Sequence, residues 1–166
     1  KQKKQTVIIQ KSIQHILTII NDILDFSKLN AGKLTLQNKG FEPAKVVGQT
    51  MELLETLIVD KSVTLKLNIS DQVPAILVGD AYRLRQILLN IIGNAIKYTQ
   101  VGSISIDISG SPISDKRFNF MICVKDTGIG IDEAELENIF KEFHMANNAR
   151  WSKAGSSGLG LSITKM

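Results

Sequence analysis

Four short segments, in a fixed order along the chain, constrain its fold more than any other feature. Residues 90–98 read NIIGNAIKY, residues 126–130 read DTGIG, residues 139–143 read IFKEF, and residues 158–161 read GLGL. In turn they supply amide and ammonium groups on a helix, a carboxylate after a strand, an aromatic helix, and a glycine turn that opens a helix. This order predicts a ligand site built jointly by helices and a sheet, without a Walker loop.

Composition sets the size of the fold and excludes some partners. A chain of 166 residues that is 43% hydrophobic predicts one domain plus an appendage, with a substantial core. Aromatic residues make up only 5%, so surfaces for stacking single-stranded nucleic acid are scarce. The net charge of +4 owes much to lysines in a polar N-terminal stretch, which indicates a solvated helix face. We therefore expect no nucleic-acid partner.

The single cysteine and the absence of long apolar runs predict a cytoplasmic location. Cys123 lies inside an apolar run, so we expect it to be buried and unpaired, as suits a reducing compartment. No run approaches the roughly 18 apolar residues of a membrane span, and no signal peptide opens the chain. We expect no direct membrane contact in this segment, although a larger parent protein would be free to carry an anchor.

Hydrophobic spacing predicts the first two helices. Isoleucines recur every three or four residues over 7–29, which indicates an amphipathic helix with a heptad seam, and Gly32 follows as a left-handed cap. Pro43 suits the first turn of a second helix. Its predicted inward residues are Val46, Val47, Met51, Leu54, Leu57 and Ile58.

Alternation of apolar and polar residues predicts the strands, and capping residues predict the later helices. Asp80 caps a third helix that runs to about residue 98, and Asp132 caps a short helix through residue 143. The predicted strands are 63–69, 76–78, 103–108 and 118–124, with a hairpin loop at 109–116, a further loop at 144–157 and a last helix from 158.

The third helix carries a polar face suited to a metal-bound phosphate. Asn90, Asn94 and Lys97 are spaced by four and three residues, so they share one face. An amide carbonyl is the kind of oxygen ligand that magnesium accepts, and an ammonium neutralises phosphate charge. Tyr98 follows, where a ring can cover a purine. The same residues are equally compatible with a polar helix face that binds nothing.

Asp126 follows a predicted strand and precedes two glycines. Gly128 and Gly130 allow a tight turn and a close approach to a ligand. A carboxylate at this place can accept a hydrogen bond from an exocyclic amino group, which adenine has and guanine lacks at the corresponding position. A glycine turn with a capping aspartate is the structural alternative. An aspartic protease half is disfavoured because Ile129 stands where that family needs a small residue.

The glycine-rich run at 155–160 places backbone amides before a helix, which is a common anion site. It lacks the Gly-Lys-Ser/Thr ending of a P-loop. Arg150 and Lys153, in the preceding loop, are candidates for phosphate contacts if that loop closes as a lid. A flexible linker with solvated cations is the alternative.

Together the four segments resemble the N, G1, F and G2 boxes of sensor histidine kinases, in the same order. Residues 21–34 also resemble the end of that family's dimerisation hairpin. The resemblance implies an α+β fold, a two-layer α/β sandwich of the GHKL (Bergerat) type, preceded by one long dimerisation helix. It implies a division into the second helix of the hairpin at 1–32 and an ATP-binding catalytic domain at 33–166, with ATP and Mg²⁺ as cofactors.

The resemblance also implies a role for each site residue. Asn94 would ligate magnesium, Asn90 would lie near the triphosphate, Lys97 would contact phosphate, Tyr98 would pack over adenine, and Asp126 would accept from its amino group. The remaining residues implied in ATP binding are Gly128, Gly130 and Ile131 around the base, Phe140 and Phe143 in the lid, and Gly158, Leu159 and Gly160 at the phosphates.

Asn90 bears on the reaction. Related ATPases usually place an acidic residue there to activate water, and an amide is not basic enough to do so. Asn90 therefore favours holding ATP for phosphoryl transfer over rapid hydrolysis. The implied partners are a response regulator receiver domain and a second copy of the kinase, as a homodimer of the full-length protein.

Two departures from the family pattern suggest a fragment. The family needs an acceptor histidine on the first dimerisation helix, but neither His15 nor His144 fits that motif. The chain also stops at Met166, where the family continues, and would expose a sheet edge. We expect weak nucleotide binding or none and no autophosphorylation by this piece alone. A GHKL-type ATPase module and a nucleotide-inactive dimerisation scaffold remain the alternatives.

Overall fold

The computed structural model describes residues 2–59, 61–142, 144 and 158–165. The chain divides into two compact units. The first joins Lys1–Thr35 with Asp132–Met166, and the second is Leu36–Ile131.

The first unit contains the long helix α1, Gln2–Asn30. It begins before the predicted residue 7 and ends in a Schellman motif. The Gly32 amide donates to the Leu29 carbonyl, and the Lys33 amide to the Lys28 carbonyl, both at 2.9 Å. Gly32 has φ 63°, so the predicted left-handed cap is confirmed. Roughly half-exposed apolar residues line the helix: Ile13, Ile16, Leu17, Ile20, Ile23 and Leu24.

The segment after Asp132 in this unit is less regular than predicted. Only Glu133–Glu135 forms a 3₁₀ helix, and the described residues beyond it, to 142, are turns. The predicted α-helix through residue 143 is therefore wrong over the described residues, whereas the Asp132 cap is present. Leu136 and Phe140 are 48% and 40% exposed, so the segment buries too little apolar surface to support a regular helix. The second helix of this unit, labelled α2, is Gly160–Lys165.

The second unit contains two helices that cover one face of a sheet. The helix α3, Pro43–Glu55, has proline in its first turn, as predicted. The helix α4, Ala81–Tyr98, is capped by Asp80, whose carboxylate accepts from the Arg83 amide at 3.0 Å. Leu57 is 59% exposed because α3 ends before it, so the prediction that it faces inward is wrong.

Five strands complete the second unit. The short strands β1, Lys39–Phe41, and β3, Leu77–Gly79, pair antiparallel. The main sheet has the order β2-β4-β5. In it, β2 (Ser62–Ile69) runs parallel to β4 (Val101–Ser114), which pairs antiparallel with β5 (Arg117–Asp126). The crossover between the two parallel strands passes through α4, as parallel pairing requires.

The hairpin between β4 and β5 is longer than predicted. The strand β4 continues to Ser114, so most of the predicted loop at 109–116 is strand and that prediction is wrong. Pairing of β4 with β2 stops at Ile108, opposite Ile69. Beyond that point, β5 is its only neighbour among the described strands, and Pro112, which has no amide hydrogen, is tolerated on such an edge.

The core of the second unit lies between the helices and one face of the sheet, which makes a two-layer sandwich. Ile104, Ile106 and Ile108 on β4 are at most 2% exposed and pack with the buried residues of α3 and α4. On β5, the residues that alternate with this face point outward. Cys123 is one of them and is exposed, so the prediction that it is buried is wrong. The predicted α+β sandwich itself is confirmed.

Candidate functional site

The ends of α4 and β5 meet at Asp126, the last residue of β5. Its Oδ1 atom accepts from the Gly128 amide at 2.8 Å and from the Thr99 hydroxyl at 3.5 Å. Thr99 directly follows α4, is fully buried, and donates its amide to the Ala95 carbonyl at 3.0 Å. The carboxylate is therefore fixed both by its own turn and by the end of the helix.

The turn after Asp126 is tied to two other elements. Thr127 exchanges hydrogen bonds with Ser103 on β4: its amide donates to the Ser103 carbonyl at 3.1 Å, and its hydroxyl accepts from the Ser103 amide at 3.0 Å. The Ile129 amide donates to the Tyr98 carbonyl at 3.4 Å. The turn is thus held between the start of β4 and the last turn of α4.

Gly128 is required by close packing. A Cβ atom there would lie 2.6 Å from the Tyr98 carbonyl oxygen and 2.7 Å from the Asp126 Oδ1 atom. Gly130 has φ 71°, a left-handed conformation that favours glycine. The tight turn expected from these two glycines is present, and the side chains of Ile129 and Ile131 beside it are about half exposed.

The polar face of α4 is half-buried along its whole length. Asn90, Asn94, Lys97 and Tyr98 all have intermediate exposure. The Lys97 Nζ atom lies 5.0 Å from the centroid of the Tyr98 ring, a cation–π distance. The buried residues of the same helix, on its inner face, are Leu88, Ile92, Ala95 and Ile96.

An open cavity of about 250 Å³ lies where α4 ends and the turn after β5 begins. Neither Asp126 nor Asn94 lines it. The cavity therefore borders the carboxylate site without containing it. Its lining residues are Tyr98, Gln100, Val101, Thr127, Gly128 and Ile129.

Sequence reasoning missed two residues at this junction. Thr99 holds the Asp126 carboxylate, and its position directly after the polar helix face was the only signal for it. Lys61, which precedes β2, donates from Nζ to the Ile96 carbonyl and to the Thr99 carbonyl, the latter at 3.1 Å. These partners are 35 and 38 residues away along the chain, so no local pattern could have indicated Lys61.

The other predicted site residues belong to the first unit. Phe140 is 40% exposed, and the Lys165 Nζ atom lies 5.3 Å from its ring centroid. Gly158 has φ 69°, and Leu159 is 1% exposed. Gly160 begins α2. A second open cavity, of about 560 Å³, is lined by Phe140, Lys141, Glu142, Ser162 and Lys165. Three predicted residues lie outside the described part of the chain: Phe143, Arg150 and Lys153.

Of the two histidines, only His144 has a described side chain. The His144 Nε2 atom lies 2.6 Å from the Glu135 carboxylate. The side chain of His15 lies outside the described residues.

The described residues contain no group of three or more histidine, cysteine, aspartate or glutamate residues that could hold a metal ion. No helix in the described part of the chain is both long and apolar enough to cross a membrane.

Comparison with known proteins places the chain in a family. Residues 79–166 match the family model of histidine kinase-, DNA gyrase B- and HSP90-like ATPases. The chain is 40% identical over 157 residues, 95% of its length, to the signal transduction histidine-protein kinase BarA of Escherichia coli K12. It is 41% identical over 170 residues, covering 99% of it, to hybrid signal transduction histidine kinase A of Dictyostelium discoideum. The chain therefore belongs to this ATPase family and, within it, to the sensor histidine kinases.

Solved structures agree on the fold. Full-length ShkA, crystallised in complex with AMPPNP, matches 98% of the chain and 32% of its own, with a TM-score of 0.79 and 29% identity. The Acinetobacter baumannii kinase AdeS matches 93% of the chain and 67% of its own, with a TM-score of 0.69 and 21% identity, which supports the fold alone. The chain spans only 17% of BarA and 8% of the Dictyostelium kinase.

Proposed function

We propose that this chain binds Mg²⁺-ATP and holds it for phosphoryl transfer to a histidine supplied by another segment of a sensor kinase. The observation that carries the proposal is the fixed Asp126 carboxylate at the end of β5, beside the end of α4. Family membership supports ATP as the ligand, and the neighbour ShkA was crystallised with an ATP analogue.

Asp126 is proposed to recognise adenine. Its Oδ1 atom already accepts two hydrogen bonds, from Gly128 and Thr99. A carboxylate has about four acceptor sites, so it retains capacity to accept from an exocyclic amino group. The flat, open turn at Gly128 and Gly130, with half-exposed Ile129 and Ile131, offers apolar surface for a base.

The polar face of α4 is proposed to hold the triphosphate and its metal. Magnesium is usually bound by few protein oxygens together with phosphate oxygens and waters, so it does not need a cluster of acidic side chains. The carbonyl oxygen of Asn94 fits that donor set, and Asn90 lies one turn earlier on the same face. The ammonium group of Lys97 would neutralise phosphate charge. Bound magnesium would polarise the phosphates for transfer.

Residues after Asp132 are proposed to make further contacts with ATP. Gly158, Leu159 and Gly160 would present backbone amides to the phosphates, and Phe140 would anchor a lid. Phe143, Arg150 and Lys153 would complete that lid. These roles rest on the order of the motifs and on family membership.

Transfer is favoured over hydrolysis by the residue at position 90. An amide cannot take a proton from water at neutral pH, so Asn90 is not a general base. The site therefore offers positioning and charge stabilisation, which are the main requirements of phosphoryl transfer.

The wider setting is also a proposal. Several relatives are named hybrid signal transduction kinases, which supports a response regulator receiver domain as partner. The half-exposed isoleucine seam of α1 supports a homodimer formed through that helix. On this proposal, residues 1–32 form the second helix of the dimerisation hairpin and residues 33–166 the ATP-binding domain, in a protein that acts in the cytoplasm.

Calorimetric titration with a non-hydrolysable ATP analogue and magnesium tests the proposal. Asp126→Asn should weaken binding about tenfold or more, because the amide keeps the Oδ1 acceptor for Gly128 but presents a donor to the adenine amino group. Asp71→Asn, at an exposed turn of the same unit, is the matched control and should bind like the native chain.

Other outcomes would favour the alternatives. Steady ATP turnover that is lost in Asn90→Ala would identify an ATPase. A native chain that binds no nucleotide at millimolar concentration would contradict the proposal and favour a dimerisation scaffold.

A further inference from the structure

Lys61 joins the start of the sheet to the end of α4. It directly precedes β2, it is half-buried, and its Nζ atom donates to the carbonyl groups of Ile96 and Thr99. The last carbonyl groups of a helix have no partners within the helix and carry a partial negative charge. An ammonium group is a favourable partner for them because its hydrogen bonds are charge-assisted.

The same end of α4 is held from the opposite side by the turn after β5. The Tyr98 carbonyl accepts from the Ile129 amide, and the Thr99 hydroxyl reaches Asp126. Three groups of Thr99 are therefore fixed by hydrogen bonds. Its amide donates to the Ala95 carbonyl, its carbonyl accepts from Lys61, and its hydroxyl donates to Asp126. A shift of the Thr99 backbone would move its hydroxyl relative to the carboxylate.

We propose that Lys61 is a positioning residue for purine recognition. By fixing the last turn of α4, it sets the place of the Thr99 hydroxyl and the Tyr98 carbonyl, which in turn orient the Asp126 carboxylate and the turn that follows it. This inference rests on the proposed function, since it assumes that Asp126 reads the exocyclic amino group.

A purely structural role for Lys61 predicts a different result. A helix end that is merely less stable would weaken binding of every purine nucleotide by the same factor. A misplaced carboxylate would weaken only the nucleotide whose amino group it recognises. Comparing an adenine with a hypoxanthine nucleotide, which has a carbonyl at that position, separates the two roles.

The experiment compares Lys61→Met and Lys61→Arg with the native chain. Lys66→Met, on an exposed position of β2, is the control. Dissociation constants are measured for non-hydrolysable analogues of ATP and of inosine triphosphate. Lys61→Met should lower the preference for ATP about three- to tenfold, the range expected for loss of partly buried hydrogen bonds. Lys61→Arg should restore much of that preference because its guanidinium also donates to carbonyl groups.

Unchanged preference in Lys61→Met, or equal losses for both nucleotides, would overturn the inference. A native chain that binds neither nucleotide would overturn the proposed function instead. Amide hydrogen exchange then tests Lys61 separately. Exchange at Gly128 and Ile129 should be faster in Lys61→Met than in Lys66→Met, and equal rates in the two variants would overturn the positioning role.

Discussion

The junction of α4 and β5 and the segment that follows Asp132 both contain residues predicted to bind ATP. The two regions differ in the hydrogen bonds that hold them. At the junction, three side chains form hydrogen bonds with elements distant in sequence: Thr99 with Asp126, Lys61 with Thr99, and Thr127 with Ser103. In the segment after Asp132, the backbone bonds span three or four residues, such as Asn138 to Glu135. The junction is therefore held by contacts between separate elements of the second unit, whereas the segment after Asp132 is held by local turns.

The largest expected effect contrasts the core under the junction with the apolar surface of the Asp132 segment. Ile106→Ala removes a fully buried side chain and should lower the free energy of unfolding by about 2–5 kcal/mol. Leu136→Ala, at a residue that is 48% exposed, should change it by about 0.5 kcal/mol or less. Denaturant unfolding measures both, and similar losses in the two variants would break the comparison.

A smaller effect is expected at the glycine turn. Gly128→Ala places a Cβ atom within 2.7 Å of the Tyr98 carbonyl and the Asp126 carboxylate, and should destabilise by about 1–3 kcal/mol. Gly48→Ala, inside α3 with open space around it, should instead stabilise by about 0.5–1 kcal/mol. Thermal unfolding checks this contrast. The melting temperature should fall in Gly128→Ala and rise in Gly48→Ala, and a fall in both would contradict it.

The smallest effect concerns the two capping aspartates. Asp80→Ala should cost about 1 kcal/mol, because its carboxylate accepts from Arg83 at the start of α4 and from the Gln37 amide. Asp132→Ala, which removes the cap of a single 3₁₀ turn, should cost only a few tenths of a kcal/mol. Denaturant unfolding near neutral pH checks the difference, and an equal cost would contradict it.

The effect of Asp80 should also depend on pH. Hydrogen bonds from the Gln37 amide, and further ones from Arg83 and Tyr82, hold the pKa of Asp80 below its ordinary value of 3.8 against the opposing effect of burial. Because the folded state binds this proton less readily than the unfolded state, the stabilisation is complete well above pH 3.8. It is lost as the pH falls through the lowered pKa, so the Asp80→Ala difference should shrink in acid.

Local patterns predicted much of the second unit. Pro43 and Asp80 correctly predicted where α3 and α4 begin. The alternation of apolar and polar residues predicted both ends of β2 and β5 to within two residues. These features depend on neighbouring residues only. Proline fixes its own φ, a capping carboxylate accepts from amides in the first turn of its helix, and apolar residues recur at every second position of a strand.

Two of the wrong predictions share a physical cause, which is strand pairing. Most of the residues predicted as loop at 109–116 form strand because β5 offers a pairing partner, and Cys123 points outward because the register with β4 decides its face. For the candidate site, the sequence indicated individual side chains, whose roles stay predictions, but it did not indicate the hydrogen bonds that fix them. Lys61 and Thr99 act through contacts that only the folded topology creates.

The β4–β5 hairpin has a further consequence. Asp126 pairs with Ile104, whereas the two-residue turn that closes the hairpin follows Ser114. At about 3.4 Å per residue, the tip is on the order of 30 Å from the carboxylate along the strand. Additional residues inserted at that tip would lengthen the hairpin without reaching the turn after Asp126, which makes the tip a suitable place to attach a spectroscopic probe.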